Sequence, residues 1–311
     1  FLYMNKNGIS FLVTVYNKEK YIPAMLNSLK SQKGNFHREY VIVDDGSQDN
    51  SLTVTKRITK KWKNTKIITK KNTGPSKATN IGAKYCTQKY IKIVDADDVL
   101  SPFASEVLLS TMEKHNLDLL YGKGIWVEDP QKYVFEEKRG DPEVLIYKNA
   151  LEEFIKKGMG GSTTIMFRND AFQDTGGCDE KTFVQDYSLP LRFAWKKKKI
   201  GRITTLINVA PKEVDQRIMG SKVQLLHDLT YTMFNFVKEN PNLPYFLKAI
   251  AVHRCAGRSW KWARRHQNKK IFSKHFIRYV RSIIPIFLSA EDRIKKSLEV
   301  WKDEKVRYGK E

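Results

Sequence analysis

The sequence predicts an α/β protein with a mostly parallel sheet that is covered by helices and followed by a helical C-terminal region. Three observations support this fold class. Short apolar runs alternate with amphipathic helical patterns over the first hundred residues, the runs are largely continuous, and the pattern beyond about residue 220 is helical only. Strands that alternate with helices form β-α-β units, and such units build parallel sheets.

The first hundred residues contain four predicted strands and three predicted helices. The apolar, β-rich runs that predict the strands are 9–15, 40–43, 66–69 and 90–94. The helical patterns between them cover 18–31, 51–62 and 76–86. Because parallel strands end at one edge of a sheet, polar residues that follow them gather there. Tyr16, Asp44, Asp45 and residues 95–98 occupy such positions.

The second half of the chain predicts fewer strands. A helix to about His115, a strand over 118–127, a strand over 163–167 and a helix over 186–195 are predicted, whereas residues 128–160 show no interpretable pattern. Four helices follow, over 222–238, 244–266, 271–284 and 291–307. We therefore expect a sheet domain over residues 1–220 and a basic, aromatic-rich helical region over 221–311.

Composition limits the class of protein. The 311 residues are 41% hydrophobic, which is typical of a folded protein. No run reaches the roughly 18 to 20 apolar residues of a membrane-spanning helix, and the first residues lack the pattern of a signal peptide, although Phe1–Tyr3, which precede Met4, are left out of the fold prediction. The three widely spaced cysteines argue against a disulfide framework or a zinc site. We expect a cytoplasmic protein.

The chain is strongly basic, with 56 Lys and Arg against 34 Asp and Glu and a net charge of +22. Such a charge attracts phosphates, nucleic acid or an anionic lipid surface, and does not by itself choose among them. Residues 251–311 hold 17 Lys and Arg against 6 Asp and Glu. Half of the excess positive charge therefore lies in the last fifth of the chain.

An acidic segment follows the strand predicted over 90–94. Side chains two residues apart on an extended segment point the same way, so Asp95 and Asp97 would converge on one ligand. A divalent cation such as Mg²⁺ or Mn²⁺ would relieve the repulsion between the carboxylates, including that of Asp98. The alternative is an acidic turn followed by a helix N-cap at Ser101.

A second candidate anion site opens the helix predicted over 76–86. Gly74 and Pro75 precede it, so that its first backbone N–H groups can face an anion, and Lys77 adds a positive charge within reach of a diphosphate. The alternative is an exposed lysine with no ligand.

Four segments occur in the order and spacing of the family 2 glycosyltransferases: residues 14–17, 41–47, 72–80 and 95–98. The sequence resembles that family over about residues 8–210. The resemblance implies the GT-A fold, a Rossmann-like sheet with a nucleotide-sugar half over about 8–100 and an acceptor half over about 101–220.

The resemblance also implies a role for each residue of a nucleotide-binding site. Asp44 would accept the imide N–H of a uracil ring, Asp45 would assist it, and Thr14 and Tyr16 would pack on the base. The alternatives are that Asp44 and Asp45 form a turn that caps the next helix, and that Tyr16 is a core aromatic residue.

The resemblance also implies which residues bind the diphosphate and the metal. Asn72, Gly74 and Lys77 would bind the diphosphate, with Asp95 near the ribose or sugar. Asp97, together with Asp95, would bind Mn²⁺ or Mg²⁺, which would neutralise the departing diphosphate.

The family takes its catalytic base from an acidic pair at the start of a helix. Asp186 holds that position here, and the alternative is an acidic residue favoured by the helix dipole. Arg217 stands in a loop that closes over the diphosphate in relatives. Three departures occur: Thr79 replaces an Arg, Gln185 replaces the first acidic residue of the pair, and the loop of Arg217 lacks a His.

The implied activity is that of an inverting, metal-dependent glycosyltransferase of the hexosyl- or N-acetylhexosaminyl-transferase type. It would move a sugar from a nucleotide diphosphate sugar, UDP-linked, to a hydroxyl of a glycan or lipid-linked saccharide in surface polysaccharide assembly. Three alternatives stay open: a nucleotidyltransferase, a nucleic-acid-binding protein, which no motif supports, and a non-catalytic relative that acts as a scaffold.

The predicted C-terminal helices interleave basic and aromatic residues, among them Trp260, Trp262, Phe272 and Phe276. One interpretation is attachment to an anionic membrane surface, which would make the protein peripheral on the cytoplasmic face. Another is a helical bundle with a basic outer face. A homo-oligomer interface would also use these aromatic residues.

Overall fold

The computed structural model describes residues 8–136, 142–212, 222–284 and 289–307. The strands of these residues are β1 (Gly8–Val15), β2 (His37–Asp44), β3 (Thr65–Thr69), β4 (Tyr90–Asp95), β5 (Val99–Leu100), β6 (Leu119–Val127), β7 (Val144–Ile146), β8 (Ile165–Arg168) and β9 (Ile200–Pro211). The helices before residue 200 are α1 (Ile22–Lys30), α2 (Ser51–Thr59), α3 (Pro75–Ala83), α4 (Ala104–His115), α5 (Ala150–Lys157), α6 (Asn169–Thr175) and α7 (Gln185–Trp195). The later helices are α8 (Lys222–Glu239), α9 (Tyr245–His266), α10 (Lys274–Arg281) and α11 (Ala290–Leu298).

The described strands form one sheet in the order β3-β2-β1-β4-β8-β6-β9-β5, and β7 pairs with β9. The first four strands of this order are parallel. Beyond β4 the sheet is mixed, because β8 is antiparallel to both neighbours and β9 is parallel to β6 but antiparallel to β5 and β7. The predicted α/β class is confirmed, and the parallel arrangement holds over the half built from β-α-β units.

The sheet is covered on both faces, as the continuous apolar runs predict. One face carries a buried cluster in which residues such as Phe11 and Val13 of β1 pack with residues of α1 and α4. On the other face α3 approaches closely, because a Cβ atom on Gly82 would lie 2.3 Å from Leu12 Cδ1 and 2.8 Å from Val43 Cγ2. The close packing of α3 fixes the position of its N-terminus at the edge of the sheet.

The chain divides into two compact units. The sheet unit contains the described residues of Phe1–Lys148, Gly160–Cys178 and Arg192–Asp215. The helical unit contains those of Asn149–Met159, Asp179–Leu191 and Gln216–Glu311, so it takes in two segments that precede residue 220.

The core of the helical unit is aromatic. Trp260, Trp262 and Trp301 are buried together, with Val300 and Ala263 beside them. The two tryptophans of α9 that the sequence offered for a membrane surface therefore belong to the interior of a helical bundle. Among the described helices, none is both long enough and apolar enough to cross a membrane.

Candidate functional site

Residues that follow β1, β2 and β4 lie side by side at one edge of the sheet. Thr14 is opposite Asp95 of β4 on one side and Val43 of β2 on the other, and Asp44 is opposite Val15. Tyr16 follows β1 directly and is half-buried. The topology thus brings together the residues that the sequence predicted for this edge.

The Asp44 carboxylate is buried, with 4% of the residue exposed. Its Oδ2 accepts a hydrogen bond from the Ser47 N–H at 3.2 Å, whereas its Oδ1 has no hydrogen-bond partner among the described residues. Leaving a buried acceptor unsatisfied costs about 1 to 3 kcal/mol, and most buried polar atoms are paired. A donor group of a ligand would satisfy Oδ1.

Asp45, the next residue, has the opposite surroundings. Its Oδ1 accepts the N–H of Thr73 at 3.0 Å, and its Oδ2 accepts the N–H of Gly74 at 2.8 Å. The Lys70 ammonium forms an ion pair with the same carboxylate. Asp45 therefore holds the loop before α3 against the end of β2, which is a positioning role that differs from that of Asp44.

Two glycines, one in the loop after β2 and one in the loop before α3, allow these loops to pack closely. Gly46 has a φ of +75°, and a Cβ atom there would lie 2.8 Å from the Asn72 backbone nitrogen. Gly74 has a φ of +93° and forms the N-cap of α3. Ser76, in the first turn, has a buried Oγ with no hydrogen-bond partner among the described residues, and Lys77 beside it is half-buried. A helix N-terminus that begins in this way is a place where proteins can bind an anion.

Asn80 of α3 has a role that the sequence did not suggest. Its Nδ2 donates to the Cys178 carbonyl oxygen at 3.0 Å, and its Oδ1 accepts the Cys178 N–H at 2.8 Å. Gly177 has a φ of +72°, and a Cβ atom there would lie 2.5 Å from Asn80 Oδ1. The last residue of the 72–80 motif thus fixes the turn at 176–178, while Thr79 beside it is fully buried.

The acidic segment is a turn. β4 ends at Asp95, and the Asp98 N–H donates to the Asp95 carbonyl oxygen at 3.1 Å. The extended geometry from which we expected Asp95 and Asp97 to converge therefore stops at Asp95. The side chains have separate partners: Asn208 Nδ2 donates to Asp98 at 2.8 Å, and the Ser162 hydroxyl donates to Asp95.

Asp97 is buried and faces a positive charge. Lys18 Nζ lies 3.2 Å from Asp97 Oδ2. Within the described ranges, no three His, Cys, Asp or Glu side chains are grouped closely enough to hold a metal ion. Mg²⁺ at nucleotide sites is usually bound by one or two carboxylates, with phosphates and water as the other ligands. Asp97 already lies beside the positive charge of Lys18 and is in the same turn as Asp95. These two carboxylates fit a metal site at which diphosphate oxygens would supply further ligands.

Lys92 lies in β4, the strand that leads to the acidic turn, within a run that the sequence predicts as an apolar strand. It is fully buried on β4, and its ammonium donates to the carbonyl oxygens of Thr163 and Ile165, the latter at 3.4 Å. In turn, Thr163 Oγ1 accepts the Asp95 N–H at 2.9 Å. Lys92 thereby holds the 162–165 segment against the end of β4.

Burial also changes the titration of Lys92. Removal from water lowers the pKa of Lys92 to about 7, although the charges of Asp98 and Asp95 act in the opposite direction. The sequence contains one signal for this buried lysine, because it lies in the middle of a strand that is predicted to be covered on both faces.

Asp186 lies in the first turn of α7, within the helical unit, and is half-buried. The segment that leads to it is held by α8. Asp228 Oδ2 accepts the Phe183 N–H at 3.0 Å, and Asn235 Nδ2 donates to Asp179 Oδ2 at 2.9 Å. The position of the predicted base is therefore fixed by buried polar contacts from a neighbouring helix.

Three further residues lie near Asp186 in the sequence or follow it in the chain: Gln185, Arg217 and His227. Gln185, where relatives carry an acidic residue, is buried. Arg217 lies outside the described residues. His227 is buried and its Nδ1 pairs with Asp228 Oδ1 at 2.8 Å, so it is a structural histidine of the helical unit.

The comparison with known protein families decides which family this arrangement represents. The model of glycosyl transferase family 2 matches residues 10–176, from β1 to the end of α6. The chain belongs to this family. The match includes the ends of β1, β2 and β4 and the start of α3, where the candidate site lies.

Similar proteins agree with this membership. An uncharacterized glycosyltransferase of Rickettsia conorii is 35% identical over 55% of this chain, which spans 27% of that protein's length. The amylovoran biosynthesis glycosyltransferase AmsE of Erwinia amylovora is 30% identical over 59% of this chain and 68% of its own length.

Solved structures share the fold. The family 2 chain superposes on Staphylococcus aureus TarS 1–349 in complex with UDP-GlcNAc with a TM-score of 0.64, at 20% identity, over 94% of this chain and 90% of TarS 1–349. It also resembles the mannosyltransferase PcManGT of Pyrobaculum calidifontis in complex with GDP-Man and Mn²⁺, with a TM-score of 0.56 at 12% identity, over 97% of this chain and 89% of that one. The fold is therefore GT-A.

Proposed function

We propose that this family 2 protein is an inverting, metal-dependent glycosyltransferase that transfers a sugar from a UDP-sugar to an acceptor hydroxyl. The observation that carries the proposal is the buried Oδ1 of Asp44 at the carboxyl edge of the sheet, which has no hydrogen-bond partner in the part of the chain that the structure describes. The UDP-GlcNAc bound by the structurally similar TarS supports a uridine donor.

The base of the donor would be recognised by Asp44. A carboxylate oxygen only accepts hydrogen bonds, and the imide N–H of uracil is a donor in the plane of the ring. Cytosine has an acceptor at that ring position, so Asp44 would disfavour it. Thr14, near the end of β1, and Tyr16, which follows that strand, would pack on the ring.

The diphosphate would lie beside the loop that Asp45 holds. Asn72 and Gly74 supply backbone in that loop, and the first turn of α3 supplies amide donors and Lys77. An anion is favoured at a helix N-terminus by both the free N–H groups and the helix dipole.

Asp97, with Asp95, would hold the divalent cation. When bound, Mn²⁺ or Mg²⁺ supplies positive charge against the diphosphate as it leaves. The Mn²⁺ in the similar PcManGT structure supports this assignment. In this structure Lys18 balances the charge of Asp97, and Lys18 would move away from Asp97 if a divalent cation were bound there.

Asp186 would act as the general base. It takes the proton from the acceptor hydroxyl as the hydroxyl oxygen bonds to the anomeric carbon, and the bond from that carbon to the diphosphate breaks on the opposite face. The configuration of the sugar is inverted because one displacement occurs.

The acceptor that we propose is a glycan or lipid-linked saccharide of surface polysaccharide assembly. The relatives support it, since AmsE is named for amylovoran biosynthesis and TarS for N-acetylglucosaminyl transfer to poly(ribitol phosphate). We propose that the reaction takes place in the cytoplasm, because Cys86, Cys178 and Cys255, all of which the structure describes, form no disulfide, as is usual in a reducing compartment.

The test is UDP release from UDP-sugars by the purified protein, with Mn²⁺, Mg²⁺ or EDTA, and with GDP- and dTDP-sugars for comparison. We expect metal-dependent release from one UDP-sugar. The Asp186→Asn variant should lower the rate by about 10²- to 10⁴-fold while UDP still binds. Asp174→Asn, an exposed carboxylate of the sheet unit, serves as the matched control. Release that ignores both EDTA and Asp186→Asn would contradict the proposal.

A further inference from the structure

Helix α10 of the helical unit packs on α9 through both polar and aromatic side chains. His275 and Ser282, which follows the helix directly, are buried. His275 Nδ1 pairs with Ser259 Oγ at 3.1 Å, and Ser282 Oγ pairs with His253 Nδ1 at 2.9 Å. Aromatic contacts accompany these polar ones on the same side, because Phe276 packs on Trp260 and Tyr279 stacks on His253.

The outward side of α10 and its flanks is apolar. Ile277 and Val280, three residues apart and so neighbours on the helix surface, are both exposed. Phe272 is 82% exposed and Ile284 is 58% exposed. We call the exposed set the α10 surface: Ile271, Phe272, Ile277, Val280, Ile283 and Ile284. A cluster of large apolar side chains exposed in this way is typical of a surface that contacts a partner or a membrane.

The same stretch is cationic. No Asp or Glu occurs between residues 267 and 290, whereas five Lys and Arg do. Lys269, Lys270 and Arg281 are exposed. Lys274 and Arg278 lie 3.8 and 2.8 Å from the carboxylate of Glu299. The α10 surface is thus bordered by positive charge.

This combination selects one kind of partner. A second copy of the chain would bring the same cations together, and a nucleic acid would use the cations but leave Ile277 and Val280 in water. An anionic phospholipid bilayer would receive the aliphatic side chains among its acyl chains and the cations among its phosphates. We propose that the α10 surface binds an anionic phospholipid membrane and lies in its interface. This goes beyond the proposed function, because binding needs no sugar transfer.

The first experiment measures binding of the full chain to vesicles by co-sedimentation. Phosphatidylcholine vesicles with and without phosphatidylglycerol are the probes, and we expect binding only to the anionic vesicles. The double variant Ile277→Ser and Ile284→Ser should weaken that binding by about tenfold or more, since it removes two aliphatic side chains from the interface. Leu145→Ser, which changes a side chain of 55% exposure in the sheet unit, should bind as the unchanged chain does.

The second experiment tests the charges. Lys269→Glu, Lys270→Glu and Arg281→Glu together should weaken binding to anionic vesicles by about tenfold or more, because each basic residue near the membrane adds to the attraction of the anionic lipids. Reversal of three exposed lysines of the sheet unit, Lys60, Lys61 and Lys63, changes the net charge equally and should weaken it less. All of these positions are exposed, and unchanged melting temperatures would show that the variants fold.

The proposal is overturned if anionic vesicles do not bind the chain, or if the α10 variants and their controls bind equally. Analytical ultracentrifugation of the same variants addresses the competing partner. If the double variant converts a dimer to a monomer and leaves vesicle binding unchanged, the α10 surface belongs to an interface between copies.

Discussion

The ends of β2 and β4 both carry carboxylates at one edge of the sheet, yet the fold surrounds them differently. At the end of β2, backbone amides occupy both oxygens of Asp45, whereas Asp44 keeps a buried oxygen without a donor among the described residues. At the end of β4, the carboxylates meet an amide, a hydroxyl and, at Asp97, an ammonium group.

The difference shows that residue type alone does not define a ligand site. The end of β2 offers one directional acceptor, which suits a neutral N–H of a base. The end of β4 gathers negative charge, which Lys18 balances at Asp97, and such a site suits a cation. We therefore expect substitutions at the two ends to change different measured quantities.

The largest effect is expected from Asp97→Ala. Removing the carboxylate should lower metal-dependent UDP release by about 10²- to 10³-fold, because the charge on the leaving diphosphate loses its stabilisation. UDP binding in EDTA should change little. Asp174→Ala is the control. Full activity of Asp97→Ala at saturating Mn²⁺ would show that the end of β4 is not the metal site.

Lys92→Met tests the support below the acidic turn. Because the pKa of folded Lys92 is about 7 and that of an unfolded lysine is near 10.4, the unfolded chain binds more protons between these values. The stability of the unchanged protein should therefore rise with pH across this range, by more than that of Lys92→Met. The melting temperatures of both proteins from pH 7 to about pH 9.5 provide the measurement. Parallel pH profiles would mean that Lys92 is not a buried, titrating lysine.

The smallest effect concerns stability at the end of β2. Asp45→Asn leaves one amide of the loop without an acceptor and removes the ion pair with Lys70, so it should cost about 1 to 3 kcal/mol and lower the melting temperature by several degrees. Asp44→Asn should lower it by much less, since one of its oxygens has no donor to lose. Equal losses in the two variants would remove the distinction between them.

Local pattern predicted the strands of the parallel half well. β1 to β4 were placed within a few residues, because strands covered on both faces appear as continuous apolar runs. No element was predicted at β9, where Arg202, Thr204 and Asn208 interrupt the apolar pattern of a strand that runs to Pro211. The helix α5 was hidden in the same way within a stretch that showed no pattern.

The sequence predicts where the site residues lie, but not which of their oxygen atoms accept hydrogen bonds from the protein. Topology alone puts Asp44 and Asp95 at one edge. Whether an oxygen there is satisfied depends on distant donors, such as Asn208, which is 110 residues from Asp98 along the chain, and Ser162. No local sequence pattern shows such contacts, and the resemblance that pointed to Asp97 did not point to Lys18 or Lys92.

The most direct test of the account is the preference of the protein for uracil over cytosine. Isothermal titration with UDP and with CDP, in the unchanged protein and in Asp44→Asn, measures it. We expect the unchanged protein to bind UDP about tenfold or more tightly than CDP. Asp44→Asn should lose most of this preference, because an amide can donate to the ring nitrogen of cytosine. Equal dissociation constants for UDP and CDP in the unchanged protein, or the same preference in both proteins, would contradict the assignment of Asp44 to the base.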